Sequence, residues 1–156
     1  MNTQSTLHEL SVTRLIDAPR EAVYRAYTEH TTEWFAPKPW TTPVAELDLR
    51  PGGFNRITMR SPEGQDMPNE GVFLEVVPNE KLVFTDAFKG DWVPEGPFMV
   101  VIVTFDEEDG KTRYTARARH WSEETCKQHA AMGFVEGWGL CADQLAAVAE
   151  GLAEKV

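Results

Sequence analysis

The chain is poor in cysteine and in basic residues, and each shortage narrows what it can be. Cys126 and Cys141 are its two cysteines, and they stand 15 positions apart. Both fall in one predicted helix, where that spacing is about 22 Å along the axis. This is far beyond disulfide reach, so both read as free thiols, which suits a reducing cytoplasm. Fifteen Lys and Arg stand against 25 Asp and Glu, a formal net charge of −10. A protein that tracks phosphate backbones needs a basic patch, so nucleic acid is an unsuitable partner. The same balance disfavours an anionic membrane surface, and the acidity reads as a solubility feature. No run approaches the roughly 18 apolar residues of a membrane span. The opening MNTQSTLHEL lacks a basic start followed by an apolar stretch, so no signal peptide is expected.

Motifs that carry familiar chemistry are missing too. There is no phosphate-binding glycine loop with lysine, no dinucleotide fingerprint and no HExxH. No Gly-x-Ser-x-Gly elbow is present. Cys126 and His129 lie three apart in the predicted helix, but two soft ligands do not make a metal site. Asp106 to Asp109 resembles a calcium loop only superficially and reads as a hairpin turn. Neither a metal nor a cofactor is expected.

What remains is a single α+β domain expected over 1–156. Leu7 to Ile16 reads as a strand, ended by Asp17-Ala18-Pro19, and a short helix follows to about Glu29 with Val23, Ala26 and Tyr27 on one face. A second short helix spans Thr32 to Phe35. Strands are then predicted over Val44–Arg50, Phe54–Arg60, Glu70–Val77, Lys81–Phe88, Phe98–Phe105 and Arg113–Trp121. They are separated by Pro51-Gly52-Gly53, the Ser61–Gly64 turn, Pro78-Asn79-Glu80, a loop from Lys89 to Pro97 and the Glu107–Gly110 turn. Ser122 caps a closing helix with acids in its first turn. That helix is predicted to run to about Leu152. Ala130, Phe134, Trp138, Cys141, Leu145, Val148 and Leu152 form its apolar stripe. Gly133, Gly137 and Gly139 interrupt it and point to a bend or a close approach to the sheet. Successive hairpins imply an antiparallel sheet of about seven strands with helix over one face. In the last strand Tyr114, Ala116, Ala118 and His120 share one face, and Arg113, Thr115, Arg117 and Arg119 the other. The small residues of the first face leave room for a helix or for a cavity.

The stretches TRLIDAPREAVYRAYTE, EWFAP, DLRPGGFNRITMRSPEGQ, GVFLEVVPNEKLVFT, VTFDEEDGKTRYTARA and GWGLCADQL, in that order, resemble the START-like or birch-pollen-allergen-like (SRPBCC) superfamily. Within it the chain looks like the bacterial relatives of the activator of the heat-shock-protein-ninety ATPase, over residues 9 to 153. The resemblance implies a helix-grip fold: a curved antiparallel sheet around a long C-terminal helix, with two short helices after the first strand and a pocket between helix and sheet. It also implies that Gly52, Gly53, Gly64 and Trp138 are structural positions. A chaperone partner is conceivable by resemblance, although the sequence shows no additional docking domain.

Pockets of this kind are mainly apolar with a few placed polar groups. Trp34, Phe35, Trp40, Phe84, Phe134 and Trp138 are the expected walls, with Trp92 and Trp121 near the entrance. Asp86 shares a face with Phe84, and His120 shares one with Ala116 and Ala118. These two are the only candidates for acid–base work. Arg56 shares a face with Phe54 and Thr58; it is a candidate for an anionic group on a ligand or a partner for Asp48. Arg14 is given no role. The leading expectation is binding of a small apolar or amphipathic molecule. Two others are a protein-interaction module, such as a co-chaperone or a regulator partner, and a cyclase, dehydratase or hydrolase using the same pocket; separately, the surplus of aromatics is compatible with a homodimer.

Overall fold

The computed structural model of the chain describes residues 8–96 and 98–154. The expected start at Leu7 and the loop end at Pro97 lie outside them. The chain runs β1 (His8–Ile16), α1 (Arg20–Glu29), α2 (Thr31–Trp34), β2 (Thr41–Leu47), β3 (Phe54–Arg60), β4 (Asp66–Val77), β5 (Lys81–Thr85), β6 (Phe88–Lys89), β7 (Val93–Pro94), β8 (Met99–Glu108), β9 (Lys111–His120), α3 (Glu123–Ala131) and α4 (Phe134–Glu154). Seven strands form one antiparallel sheet in the order β1-β9-β8-β5-β4-β3-β2, and β6 and β7 pair apart from it. The curved sheet with helices on its inner face is the expected helix-grip architecture.

Turn chemistry explains the strand pairings. At the β8–β9 hairpin, Asp109 and Gly110 have φ of 52° and 82°, the two positive angles that suit the twist of a two-residue connection. Inward residues then alternate: Val101, Val103 and Phe105 on β8 and Tyr114, Ala116 and Ala118 on β9 are all buried. Between β2 and β3, Gly52 turns with φ of 81°. Its amide donates to the Phe73 carbonyl at 2.7 Å, tying the turn to the middle of β4. Register shifts lie between Phe73 and Glu75 and between Thr41 and Val44, and such bulges bend strands. The predicted 81–88 strand is cut short. β5 ends at Thr85, and the small β6–β7 pair takes Phe88 from the end of the predicted strand and the rest from the expected loop.

The closing helix is two helices. Ser122 caps α3 as predicted, its Oγ accepting from the Thr125 amide at 3.2 Å. The chain then breaks at Met132-Gly133, where Gly133 has φ of 91°, a left-handed helix end open to glycine. Ala130, expected on the apolar stripe, is exposed; His129 is the buried residue of α3 instead. Beyond the break, Phe134, Ala142, Leu145 and Ala149 are buried on α4. Helix α4 rests on α1, α2 and β1 and makes no comparable contact with β3, β4 or β5. Gly139 allows the close approach: a Cβ there would stand 2.7 Å from Arg14 Nη2, and Arg14 Nε donates to Asp143 on α4 at 2.8 Å.

Crowding at the β2–β3 turn gives a stability test. A Cβ on Gly53 would lie 2.1 Å from the Asp48 carbonyl oxygen, whereas one on Gly64 (φ of 88°) meets nothing within 4 Å. Gly53→Ala is expected to lose about 2–4 kcal/mol, and Gly64→Ala about 1 kcal/mol from backbone strain alone. Urea midpoints at unchanged slope measure both; equal losses would refute the steric account.

Candidate functional site

Because α4 leans toward β1, the inner face of β3, β4, β5 and β8 is left partly uncovered. A cavity of about 530 Å³ lies there, within the roughly 300–1,000 Å³ of small-molecule sites. Asn55, Ile57 and Met59 of β3, Phe73 of β4, Phe84 of β5, Val101 and Val103 of β8 and Ala116 of β9 form its sheet side. Phe134, Gly137, Trp138 and Cys141 of α4 face them, and Trp34, Phe35, Pro37 and Trp40 close one flank. That flank is held by Gln144 of α4, whose Nε2 donates to the carbonyls of Trp34 and Ala36 at 2.8 Å each. Cys141 Sγ donates to the Phe35 carbonyl at 2.7 Å, and burial pushes its thiol up to about 12. The lining residues Met67 and Met132 are 46% and 77% exposed, which marks the mouth between β4 and the α3–α4 break.

Three buried side chains of this wall keep a polar atom without a partner among the described residues. Tyr27 and Tyr114 line the cavity, only 6% and 4% exposed, with ring centroids 6.3 Å apart. Burial raises both phenols above their ordinary range. Neither hydroxyl has a hydrogen-bond partner among the described residues. The third is His129. Its Nδ1 lies 2.8 Å from His120 Nε2, and His120 Nδ1 lies 3.2 Å from the His8 carbonyl oxygen. A carbonyl only accepts, so His120 Nδ1 carries a proton. In the uncharged pair His120 Nε2 therefore accepts from His129 Nδ1–H, and His129 Nε2 keeps its lone pair. No third ligand-type side chain joins the two histidines among the described residues.

Of the sequence candidates, Trp34, Phe35, Trp40, Phe84, Asp86, Phe134 and Trp138 line the cavity. Asp86 is occupied: its Oδ1 accepts from the amides of Phe98 and Met99 at 3.3 Å. His120 is buried but stands behind His129, outside the lining. Arg56 lies on the outer face of β3, over the Phe54 ring at 4.2 Å and 3.5 Å from Glu70. It is not Asp48's partner, because Arg50 takes that carboxylate at 2.8 Å. Trp92 covers the Gly52 turn and meets Phe88, away from the mouth. Trp121 is also absent from the lining. Sequence reasoning passed over His129, Tyr27 and Tyr114 as polar groups of the site.

The family described as Activator of Hsp90 ATPase homolog 1-like protein matches residues 17–150. The chain belongs to that family. A crystal structure of a protein from Nitrosomonas europaea is 37% identical, with a TM-score of 0.88 over 92% of this chain and 94% of that one. Proteins of Mycobacterium smegmatis (24% identical, TM-score 0.76, 92% and 95% covered) and Arthrobacter aurescens (21%, 0.80, 96% and 93%) share the fold. No curated protein matches the chain. As in any member of a fold family, function has to be read from the site. No helix of the described residues is long and apolar enough to cross a membrane.

The histidine pair has a measurable consequence. Burial, and then the charge His120 would carry, push His129 down to about 4. Phe98, Phe134 and Trp138 pack against its ring and carry no charge; Asp86, in the same wall, is engaged by backbone amides. An unfolded histidine takes up its proton near pH 6.5. Between those values the unfolded chain binds more protons, so stability falls as pH drops from 6.5 toward 4. The loss from this residue is on the order of 2 kcal/mol, after discounting for solvent in the cavity. His129→Phe should remove it. Urea midpoints at pH 7 and 4.5 should fall further in wild type than in the variant; parallel falls would mean that His129 titrates normally.

Proposed function

We propose that the protein binds a small, largely apolar molecule in the cavity between α4 and the sheet. The observation that carries this reading is the cavity of about 530 Å³ whose wall includes three buried side chains, Tyr27, Tyr114 and His129, with a polar atom left unpartnered among the described residues. Apolar walls supply the driving force, roughly 25 cal/mol for each Å² of apolar surface withdrawn from water. The few polar groups set orientation. In this reading Trp34, Phe35, Trp40, Phe84, Phe134 and Trp138 contact the guest, while Asp86 shapes the wall by fixing the start of β8. The site of action is the cytoplasm, consistent with two free thiols, Cys126 and Cys141.

A second reading, a docking module as the family description suggests, draws on Met132, Val135 and Leu140. They are 77%, 59% and 51% exposed, Met132 in the α3–α4 break and the other two in the first turns of α4. Stimulation of a heat-shock-protein-ninety ATPase by the purified protein, lost in Val135→Glu, is its signature.

The leading reading is tested by filling the cavity. Gly137 is part of the wall, and a Cβ there meets nothing within 4 Å. Gly137→Leu is expected to raise the melting temperature, since leaving glycine in a helix gains about 0.8 kcal/mol. It is also expected to weaken Nile red binding by at least about tenfold, roughly 1.4 kcal/mol. Fluorescence titration of both proteins decides. Wild type that takes up no dye, or a variant that binds it equally well, would defeat the reading.

A further inference from the structure

The ring of His129 lines the cavity and is 92% withdrawn from solvent, since its relative exposure is 8%. Its Nδ1 is committed to His120, and Nε2 has no hydrogen-bond partner among the described residues. Nor is Nε2 among the sealed, unpartnered side-chain atoms, which are Thr42 Oγ1, Asn55 Oδ1 and Thr104 Oγ1. It is therefore reachable, and the cavity is what reaches it. Around it stand Phe98, Phe134 and Trp138, with ring centroids 5.2, 4.9 and 5.8 Å away. None of these rings donates a hydrogen bond to the lone pair, the Trp138 indole N–H included.

We propose that His129 Nε2 is the point at which the bound molecule is recognised, and that it selects an un-ionised hydroxyl on an apolar, ring-bearing body. This rests on the reading of the cavity as a binding site. The chain from the His8 carbonyl through His120 fixes the tautomer, so that Nε2 accepts and does not donate. An acceptor welcomes an alcohol or a phenol and repels a carboxylate. The net charge of −10 acts in the same sense. The far end is complementary. Tyr114 lies six residues before His120 on β9, about 20 Å along the strand, and its hydroxyl and that of Tyr27 are free to donate to a carbonyl or ether oxygen. Ala116, between the two ends, is the small lining residue that allows a flat body to lie across β9.

Matched probes test it: 2-naphthol, 2-methoxynaphthalene and 2-naphthoate, titrated at pH 7 with detection by calorimetry. Wild type should bind the naphthol about tenfold more tightly than the ether, the effect of one buried hydrogen bond of about 1.4 kcal/mol, and bind the naphthoate least. In His129→Phe, which keeps an aromatic ring among aromatic neighbours, the naphthol-to-ether ratio should fall to about one. Imidazole nitrogen NMR on the wild-type protein gives a readout that does not depend on the variant's folding. His129 Nε2 should resonate as an unprotonated nitrogen at pH 7 and shift with the naphthol but not with the ether. Equal affinities for naphthol and ether in wild type, or a protonated Nε2, would overturn the assignment while leaving apolar binding intact. Binding of none of the three would remove the cavity reading and this inference with it.

Discussion

The lean of α4 decides the rest of this structure. Its buried face, Ala142, Leu145 and Ala149, packs on α1 and β1, at one end of the sheet order. Arg14 on β1 reaches Asp143 across Gly139, and Gln144 holds the chain that follows α2. A helix fastened so firmly at one edge cannot also seal the opposite half of a curved sheet. The open space above β3 and β4 follows from where the helix is anchored. Deletion of a single side chain does not create it.

Gly133 sets the chemistry of that space. At 100° per residue, an unbroken helix would place Ala130 about 40° from Phe134 and His129 about 140° away, on the outer side. The left-handed turn at Gly133 ends α3 and re-aims it, so that His129 comes inward and Ala130 goes out. One backbone angle therefore exchanges a methyl group for an imidazole. The hydrogen bond to His120 then fixes which nitrogen of that imidazole is left free.

The break also explains why the architecture was legible in the sequence when the polar site was not. Strand alternation, turn residues and the Ser122 cap are local signals, and they located the seven strands and the start of α3. The stripe from Phe134 to Leu152 was equally legible, because it lies within one uninterrupted helix. His129 was hidden, since periodicity carried across Gly133 assigns it to solvent. Arg56 failed for a different reason. Alternation separates Phe54, Arg56 and Thr58 from Asn55, Ile57 and Met59, but it does not say which set faces the core. An aromatic at 54 suggests the wrong one. In the structure that ring is covered by the Arg56 guanidinium itself. Tyr27 and Tyr114 were seen as helix and strand faces; that their hydroxyls go unpartnered depends on space that no local pattern records.

Magnitudes indicate what occupies the cavity. A dry void costs roughly 24 cal/mol per Å³ in a core that cannot collapse. At about 530 Å³ that would be about 13 kcal/mol, as large as the whole stability of a typical domain. Buried Tyr27, Tyr114 and His129 would each add the penalty of an unpaired polar group. An empty apolar hole is therefore not a tenable resting state, and solvent entering between Met67 and Met132 must hydrate the polar groups. Water beside Phe73, Phe84, Val101 and Trp138 gains little from such walls, so its displacement favours an apolar guest. Water at Tyr27, Tyr114 and His129 is different, because those atoms lose their partners unless the guest replaces them. Affinity therefore comes mainly from the walls and discrimination from the three polar side chains.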